Sequence, residues 1–319
     1  MSEPLFAVAG LSKHFPARGG GRITALVDAS FAIAAGETLA LVGESGCGKT
    51  TLARTASLLY RPDRGSVRLA GIELTALSRR ALKPHRRAIQ LVFQDPFGSL
   101  NPRLRVGSIV AEPLVIHGVG RARERRARAA HQLASLGLEA GDLERYPHEF
   151  SGGQRQRIAI ARALVLEPKL LVADEPLSAL DVSVQAQLLE LLGDLRARLG
   201  LAMLFISHDL AAVDRIADRI VVMYLGRIVE LAPRAELFAR PSHPYTQALL
   251  AAVPRLGAGK RKPGTAPKGE VADPLAPPSG CPFHPRCPKA QAVCREREPP
   301  LEAKPGAAPT RRVACHFPD

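Results

Sequence analysis

The chain has 319 residues, of which 46% are hydrophobic, enough for one large domain with an appendage or for two modest domains. This composition excludes disordered and collagen-like classes, and no apolar stretch approaches the ~18 residues of a bilayer span, so we expect a folded protein that stays in the cytosol. The formal net charge of +14 suits nucleic acid, anionic lipid or phosphorylated ligands, whereas an aromatic content of 4% without Trp disfavours base-stacking surfaces.

Short apolar runs, separated by turns rich in Gly, Pro and Asp, predict a mixed sheet in the N-terminal part of the chain. These runs are Leu5–Ala9, Ile23–Val27, Thr38–Val42, Ser66–Leu69 and Ile89–Phe93.

The segment 43–50, GESGCGKT, fits the pattern G-x-x-x-x-G-K-[ST] and stands between an apolar strand and a helix-like stretch, 51–59. Its glycines let successive backbone N–H groups face one anion, Lys49 supplies a cation for the outer phosphates, and the Thr50 hydroxyl suits Mg²⁺. The segment therefore predicts an ATP or GTP site, which we name the phosphate loop. The residues expected to contact nucleotide are Gly43, Ser45, Gly46, Cys47, Gly48, Lys49, Thr50 and Thr51.

Cys47 is unusual within this loop. A small side chain fits beside a phosphate, so a structural role is the first interpretation. The following helix N-terminus could also lower the pKa of the thiol and make it sensitive to alkylation.

Between about residues 105 and 166 no strand is predicted, and apolar residues recur at intervals of three to four, so a helical insert is expected. Near its end, Ser151, Gly152, Gly153 and Gln154 precede the helix-like segment 155–166. Backbone N–H groups and a hydroxyl at a helix N-terminus form a second anion site. Because one subunit needs only one such site per γ-phosphate, the second site favours a two-fold sandwich in which ATP joins two subunits.

An apolar run at 170–173 ends in Asp174 and Glu175, at the strand end where α/β folds place ligands. Asp174 is expected to hold Mg²⁺ and Glu175 to polarise the attacking water. Further continuous apolar runs lie at 201–206 and 220–223, and the helix-like stretch 184–199 separates the run 170–173 from the run 201–206. Such runs are typical of parallel strands covered on both faces. The predicted fold class is α/β, with a main domain that ends near residue 254.

Residues 255–280 hold ten Gly or Pro in twenty-six and predict a linker. Beyond it lie Cys281, Cys287, Cys294 and Cys315, in a segment too poor in apolar residues to fold on core burial alone. Because disulfides are rare in a reducing cytosol, the four thiols predict a metal site, either tetrahedral Zn²⁺ or an iron–sulfur cluster. Unligated thiols or disulfides are the remaining alternative.

Taken together, residues 3–254 resemble the ABC ATPase family, with the motifs in the family's order. The phosphate loop resembles the Walker A motif, and Asp174 with Glu175 resembles the Walker B motif. Segment 151–154 resembles the signature motif, although Phe150 precedes it where Leu is commoner. The resemblance implies a P-loop NTPase nucleotide-binding domain with a RecA-like core, an antiparallel β subdomain, a helical subdomain at about 105–166 and a small Cys-rich C-terminal extension, 281–319.

Further roles are implied by this resemblance alone. Gln94 corresponds to the Q-loop glutamine that meets Mg²⁺ and the attacking water, and His208 to the switch histidine that senses the γ-phosphate. Segment 178–181, ending in Asp181, corresponds to the D-loop that contacts a partner cassette. Phe15 falls where the family has an aromatic ring that stacks on adenine.

Segments 97–102 and 242–250, together with the cysteine tail, resemble the oligopeptide/dipeptide/nickel importer branch. The resemblance implies an ATP-hydrolysing subunit on the cytoplasmic face of a bacterial inner membrane. Its implied partners are a second, similar ATPase in a heterodimer, two membrane-spanning permeases and an extracytoplasmic binding protein, with no nucleic acid. It also favours a [4Fe–4S] cluster over Zn²⁺ at the four cysteines.

Two alternative functions fit part of these patterns. A soluble ABC ATPase acting on nucleic acid or the ribosome fits the +14 charge, but two cassettes in one chain, coiled coils and inserted zinc modules are not visible in the sequence. A P-loop kinase shares the phosphate loop but has no need of segments 151–154 and 178–181.

Overall fold

The computed structural model describes residues 3–17, 20–178, 180–252, 273, 275–303 and 310–319. Most of the predicted linker, 255–280, lies outside this set. The chain divides into two units: the first comprises Met1–Phe6, Ile33–Glu37 and Arg68–Ile206, and the second Ala7–Ala32, Thr38–Val67 and Ser207–Asp319.

The strands and helices alternate through most of the chain. The strands are β1 (Phe6–Pro16), β2 (Arg22–Ile33), β3 (Thr38–Val42), β4 (Arg64–Leu69), β5 (Ile72–Glu73), β6 (Ile89–Val92), β7 (Leu170–Asp174), β8 (Ala202–Ile206), β9 (Arg219–Tyr224), β10 (Arg227–Pro233), β11 (Glu302–Ala303) and β12 (Arg312–Val313). The helices are α1 (Lys49–Ala56), α2 (Arg79–His85), α3 (Pro96–Ser99), α4 (Val106–Ile116), α5 (Ala122–Ala134), α6 (Gly152–Leu164), α7 (Val182–Leu199), α8 (Leu210–Ile216), α9 (Arg234–Ala239), α10 (Pro244–Ala251) and α11 (Ala292–Glu296).

Parallel strands form the sheet of the first unit. Strand β7 lies between β6 and β8, with Ile89 opposite Leu170 and Leu170 opposite Ala202. Every residue of β7 and β8 is buried. The continuous apolar runs therefore form strands covered on both faces, as the sequence predicts.

The helical insert of the first unit is built from α4, α5 and α6, which pack against one another. The apolar residues that predict it lie in the interior of this packing: Val106, Ile109, Val110, Leu133 and Leu136 are at most 1% exposed. Spacing of three to four residues places Val106, Ile109 and Val110 on one face of α4, while Leu133 lies on α5 and Leu136 in the turn after it. Burial of these side chains stabilises the insert.

In the second unit, β3 pairs in parallel with β9, and β9 pairs antiparallel with β10. Strand β12, from the far end of the chain, adds to β10, with Glu230 opposite Val313 and Leu231 opposite Arg312. Strand β11 then pairs antiparallel with β12. The C-terminal residues thus extend the same sheet whose strand β3 leads into the phosphate loop.

A second sheet in this unit contains β2, β1 and the start of β4, in that order. The predicted run Leu5–Ala9 proved too short, because β1 continues to Pro16 and includes Phe15. The predicted helix 51–59 also shifts: α1 begins at Lys49 and ends at Ala56, and Leu58 adopts a left-handed backbone conformation (φ 59°) that ends the helical path.

Candidate functional site

The phosphate loop joins β3, which is buried throughout, to α1. Residues 43–48 form the connection, and Lys49, Thr50 and Thr51 form the first turn of the helix. The Lys49 side chain turns back over the loop, and its Nζ donates to the carbonyl oxygens of Gly43, at 2.8 Å, and Glu44, at 3.0 Å. A nearly buried ammonium is thus held where the loop N–H groups and the helix N-terminus converge, an arrangement suited to a polyphosphate.

Close backbone approach explains two of the loop glycines. A Cβ on Gly43 would lie 2.3 Å from the Met223 carbonyl oxygen and 2.7 Å from the Cys47 sulfur, and one on Gly48 (φ 104°) would lie 2.7 Å from the Ala25 carbonyl oxygen. Neither position accepts a side chain without movement of the backbone.

Cys47 is 3% exposed within the loop, in accord with the structural interpretation. The expectation of a lowered thiol pKa was wrong. Burial raises the pKa of Cys47 and outweighs the opposing effect of Lys49, so the thiol is held in its protonated form.

Phe15 lines an open cleft of about 750 Å³, together with residues of β2, with Asp63 and with Arg64 at the start of β4. Its ring meets Tyr60 edge to face, with centroids 5.5 Å apart, and Lys13 Nζ lies 5.6 Å from the ring centroid. The ring is therefore fixed in orientation at the wall of a cleft large enough for a nucleobase.

His208 lies in the turn between Ser207 and Asp209, after the end of β8. The Asp209 carboxylate caps α8 by accepting from the backbone N–H groups of Ala211 and Ala212, and the Ser207 hydroxyl accepts from the Asp209 N–H. These bonds fix the backbone on the C-terminal side of the histidine.

In the first unit, Asp174 closes strand β7 and is 1% exposed. Glu175 follows in a left-handed backbone conformation (φ 48°), and its N–H donates to the Ile206 carbonyl oxygen at 3.0 Å. Such a conformation costs of order 1–3 kcal/mol for a residue other than Gly, and it is concentrated at functional sites. Gln94 Nε2 donates to Glu175 Oε2 at 2.9 Å, so two residues that are 81 positions apart and were predicted separately meet in the structure.

Ser151 begins α6 as its N-cap, and its Oγ accepts from the Gln154 N–H while Gln154 Oε1 accepts from the Ser151 N–H. This reciprocal capping box fixes the first turn of α6, in which Ser151 is exposed and Gly152, Gly153 and Gln154 are half-buried. A Cβ on Gly153 would lie 2.6 Å from Val184 Cγ1, so the glycine permits close packing of α6 on α7.

Asp181 is the N-cap of α7, and its carboxylate accepts from the Ser183 hydroxyl at 2.6 Å and the Val184 N–H at 3.0 Å. These hydrogen bonds, with Ser183 first, lower the pKa of Asp181. Ala179, within the predicted D-loop, lies outside the described residues. A Cβ on Gly152 would lie 3.8 Å from Leu180 Cδ2, so the segments 151–154 and 178–181 are neighbours.

The four C-terminal cysteines, none in a disulfide, line one small pocket with His284 and His316. Its volume is about 10 Å³, the space of roughly one water. Burial raises the pKa of Cys281 to about 11 and also raises the pKa of Cys287 and Cys315. Across the described part of the chain, no group of three or more Cys, His, Asp or Glu side chains is arranged to hold a metal ion. The predicted convergence of the thiols is present, whereas the predicted metal centre has no support from this arrangement.

Three residues around the phosphate loop had no predicted role. The Glu44 carboxylate accepts two hydrogen bonds from the Arg286 guanidinium, and the Glu44 N–H donates to the Tyr245 hydroxyl at 2.8 Å. Their separation along the chain, about 200 residues or more, leaves no local pattern that could have revealed the contact.

Nowhere among the described residues is a helix both long and apolar enough to cross a membrane.

A strand, a glycine-rich loop and a helix that begins at Lys49, with a strand-end acid pair elsewhere in the fold, define a P-loop nucleotide-binding protein. Residues 26–178 match the ABC transporter family, and residues 229–294 match the oligopeptide/dipeptide transporter C-terminal region. The chain belongs to the ATP-binding proteins of the ABC transporter family, and it is an ATPase of that family's cassette type.

Similar sequences extend over almost the whole chain. A probable peptide ABC transporter ATP-binding protein of Sinorhizobium fredii is 50% identical over 99% of this chain and 90% of its own length. The oligopeptide transport ATP-binding protein AppF of Bacillus subtilis is 48% identical over 99% of this chain and 98% of its own. The di/tripeptide transport ATP-binding protein DppF of Pseudomonas aeruginosa is 47% identical over 98% of both.

Solved structures agree on the fold. A dimeric ATP-binding cassette in a post-hydrolysis state, bound to ADP and phosphate, matches with a TM-score of 0.66 and 31% identity over 72% of this chain and 98% of that chain. The cbiO1 protein of Clostridium perfringens, part of an ABC transporter complex, matches with a TM-score of 0.66 and 29% identity over 75% and 92%. The expected α/β cassette fold is confirmed.

Proposed function

We propose that the chain is the ATP-hydrolysing subunit of an importer of di- and oligopeptides. The observation that carries the proposal is the joint presence of a formed phosphate loop, with Lys49 folded over it, and of the C-terminal region that matches oligopeptide/dipeptide transporters. The relatives named for peptide transport support the cargo class. They do not favour the alternative of a soluble ATPase acting on nucleic acid or the ribosome.

ATP binding begins at the phosphate loop. Lys49 exchanges its bonds to the Gly43 and Glu44 carbonyls for phosphate oxygens, and the loop N–H groups donate to the same phosphates. The Phe15 ring stacks on the adenine in the adjoining cleft. The residues proposed to contact nucleotide in this way are Phe15, Gly43, Ser45, Gly46, Cys47, Gly48, Lys49, Thr50 and Thr51.

The Thr50 hydroxyl, the Gln94 amide and the Asp174 carboxylate supply the hard oxygen ligands that Mg²⁺ prefers, so their chemistry fits this ion. When bound, Mg²⁺ neutralises phosphate charge. Glu175 accepts the proton of the attacking water. The bond from Gln94 to Glu175 holds the carboxylate until the glutamine turns to the nucleotide, and His208 contacts the γ-phosphate.

A second ATPase subunit completes the site. The N-terminal turn of α6, at 151–154, binds the γ-phosphate held by the partner subunit, and segment 178–181 contacts that partner. A solved cassette with the same fold is dimeric with ADP and phosphate bound, which supports this arrangement. The partner is a similar chain in a heterodimer, and the pair docks beneath two permeases at the cytoplasmic face of the inner membrane, supplied by an extracytoplasmic binding protein.

The catalytic role is tested with Glu175→Gln, which preserves side-chain size but removes the base. ATP hydrolysis is expected to fall by about 10²–10⁴-fold, while ATP binding remains and ATP-bound dimers accumulate in size-exclusion chromatography. Glu190→Gln, on the exposed face of α7, is the matched control. Hydrolysis by Glu175→Gln at the wild-type rate would disprove the role.

The transport role is tested in cells. Deletion of the subunit is expected to abolish uptake of labelled di- and oligopeptides, and wild-type but not Glu175→Gln subunit is expected to restore it. Co-purification of permeases supports membrane docking. Unchanged peptide uptake in the deletion strain would argue against the proposed cargo.

A finer proposal concerns Cys281, Cys287, Cys294 and Cys315. Four soft thiol ligands around one pocket suit an iron–sulfur cluster or Zn²⁺ in donor chemistry, whereas the observed volume of about 10 Å³ and side-chain positions do not hold either one. On the donor chemistry alone we propose a [4Fe–4S] cluster, with Zn²⁺ as the alternative; either one requires that these side chains move from the positions described here. Iron in anaerobically purified protein that absorbs near 400 nm supports the cluster, and one zinc per chain supports the alternative. Protein purified in this way that contains neither metal would disprove both proposals.

A further inference from the structure

The phosphate loop is held by residues from the C-terminal part of the chain. Every polar group of Glu44 has a partner: its N–H donates to Tyr245, its carbonyl accepts from Lys49, and its carboxylate accepts from Arg286. When a triphosphate binds, Lys49 exchanges its bond to the Glu44 carbonyl for bonds to phosphate oxygens. Once Lys49 has turned to phosphate, Glu44 is held by Tyr245, by Arg286 and, within the loop, by the Cys47 N–H, which donates to its carbonyl oxygen at 3.3 Å.

The pairing of Arg286 with Glu44 is two-pronged. Its Nη1 donates to one carboxylate oxygen at 2.8 Å and its Nη2 to the other at 3.1 Å, the fork geometry that fixes orientation as well as charge. The Arg286 side chain is 7% exposed, and its guanidinium lies 5.9 Å from the ring centroids of both Tyr224 and Phe283. The arginine is therefore positioned by its surroundings, and it determines the direction of the glutamate.

Tyr245 is positioned in a similar way. It is fully buried, with its ring 4.8 Å from that of Tyr224 and 5.4 Å from that of Phe283. These aromatic rings leave its hydroxyl little freedom, so the bond from the Glu44 N–H is formed before nucleotide arrives.

Charge gives this contact a consequence for binding. A carboxylate in a loop that receives a triphosphate repels the ligand unless a cation compensates it. Arg286 supplies that cation from outside the loop, which leaves Lys49 available for phosphate.

We infer that Arg286 and Tyr245 are positioning residues for the phosphate loop, acting through Glu44 to hold it in shape and to neutralise its carboxylate for nucleotide binding. This inference rests on the proposed ATPase function. It also gives the C-terminal segment a part in nucleotide affinity, since Phe283 contacts Tyr245 and lines the cysteine pocket.

The test measures the dissociation constant of mant-ATP by fluorescence, in the presence of Mg²⁺, for the full chain. Arg286→Gln is expected to weaken binding about tenfold, the effect of one uncompensated charge near a phosphate site at an effective dielectric constant of about 20. Arg286→Lys, which keeps the charge but loses the fork, is expected to weaken it less. Arg295→Gln, the same charge change at an exposed position of α11, is the control and should bind as wild type.

The decisive comparison is the double variant Glu44→Gln with Arg286→Gln. Removal of the carboxylate removes the repulsion, so the double variant is expected to bind about fivefold or more tightly than Arg286→Gln alone. A merely structural arginine would give no such rescue. In steady-state hydrolysis, Arg286→Gln is expected to raise KM while kcat stays within about twofold.

The outcomes separate the two hypotheses. If wild-type protein does not bind mant-ATP, the proposed ATPase function fails. If wild type binds and Arg286→Gln binds equally well, or the double variant is as weak as Arg286→Gln, the positioning role is overturned. Should Arg286→Gln unfold, as judged by its thermal transition, Tyr245→Phe replaces it, with weaker mant-ATP binding expected and wild-type affinity overturning the inference.

Discussion

Glu230 is a fully buried carboxylate on β10, and its replacement gives a quantitative test of how the C-terminal part is held together. Its two oxygens accept from the backbone N–H groups of Ser242, at 2.8 Å, and His243, at 2.9 Å. Arg311, preceding β12, approaches it at 3.6 Å. One side chain thus joins β10, the start of α10 and the C-terminal residues.

The cost of Glu230→Gln follows from these contacts. The amide keeps one acceptor oxygen but turns an NH₂ group toward the second backbone N–H. The hydrogen bond from that N–H is then lost, a charge-assisted bond worth about 1.5–3 kcal/mol. Loss of the negative charge also weakens the hold on Arg311, although its bond to the Ser242 hydroxyl at 2.6 Å remains. We expect a total loss of about 3 kcal/mol, at the lower end of the ~3–5 kcal/mol for a fully broken buried pair.

The assay is thermal unfolding followed by circular dichroism, in which about 3 kcal/mol corresponds to a fall in Tm of about 4–5 °C for a chain of 319 residues. Glu236→Gln is the matched control, because Glu236 faces the same Arg311 at 3.7 Å but its side chain is 42% exposed. That variant should lose at most about 1 kcal/mol. Equal shifts in Tm for the two variants would refute the argument from burial.

Two further predictions concern the loop and pH. Gly43→Ala is expected to lower Tm more than Gly46→Ala. A Cβ at Gly43 would lie 2.3 Å from the Met223 carbonyl oxygen, whereas one at Gly46 would meet no atom within 4 Å. Equal losses of Tm in differential scanning calorimetry would contradict this prediction. Burial lowers the pKa of His243 to about 3. The neutral histidine therefore contributes its full stabilisation of the folded protein above pH ~6.5, and this contribution is lost as the pH falls toward 3. Between pH 7.5 and 5.5, the free energy of unfolding measured in urea should fall by about 1.4 kcal/mol because of this histidine. His243→Asn should abolish that pH-dependent fall, since Asn does not titrate but can still cap α10. The same dependence of stability on pH in the variant would contradict the prediction.

The features predicted from sequence are those encoded by neighbouring residues. The phosphate loop combines glycines and Lys49 within eight positions, and the helical insert shows its buried face through spacing of three to four residues. The bond between Gln94 and Glu175 has no such local sign, since each residue lies at the end of a different strand. Only the resemblance to a family placed both residues in one site.

The C-terminal strands show why the remaining contacts escaped prediction. Strand β12 has two residues, too few for an alternating pattern, and it exists because β10 offers an unpaired edge to it. The segment also has few apolar residues, yet Phe283 is 1% exposed because the rings of Tyr224 and Tyr245 surround it. Composition alone underestimated this burial, since it counts the residues of a segment and not the surface that receives them.

The same reasoning explains how the loop depends on distant residues. Glycines let a chain adopt the loop conformation, but they also give the unbound loop many other conformations, which nucleotide binding must then exclude at an entropic cost. Bonds from Tyr245 and Arg286 to Glu44 restrict that freedom in advance, because both partners are buried and fixed by aromatic contacts. The phosphate loop, whose motif lies within eight consecutive residues, therefore owes part of its nucleotide affinity to side chains about 200 residues or more away in the sequence. Weakening those contacts should reduce affinity even though every residue that touches phosphate is retained.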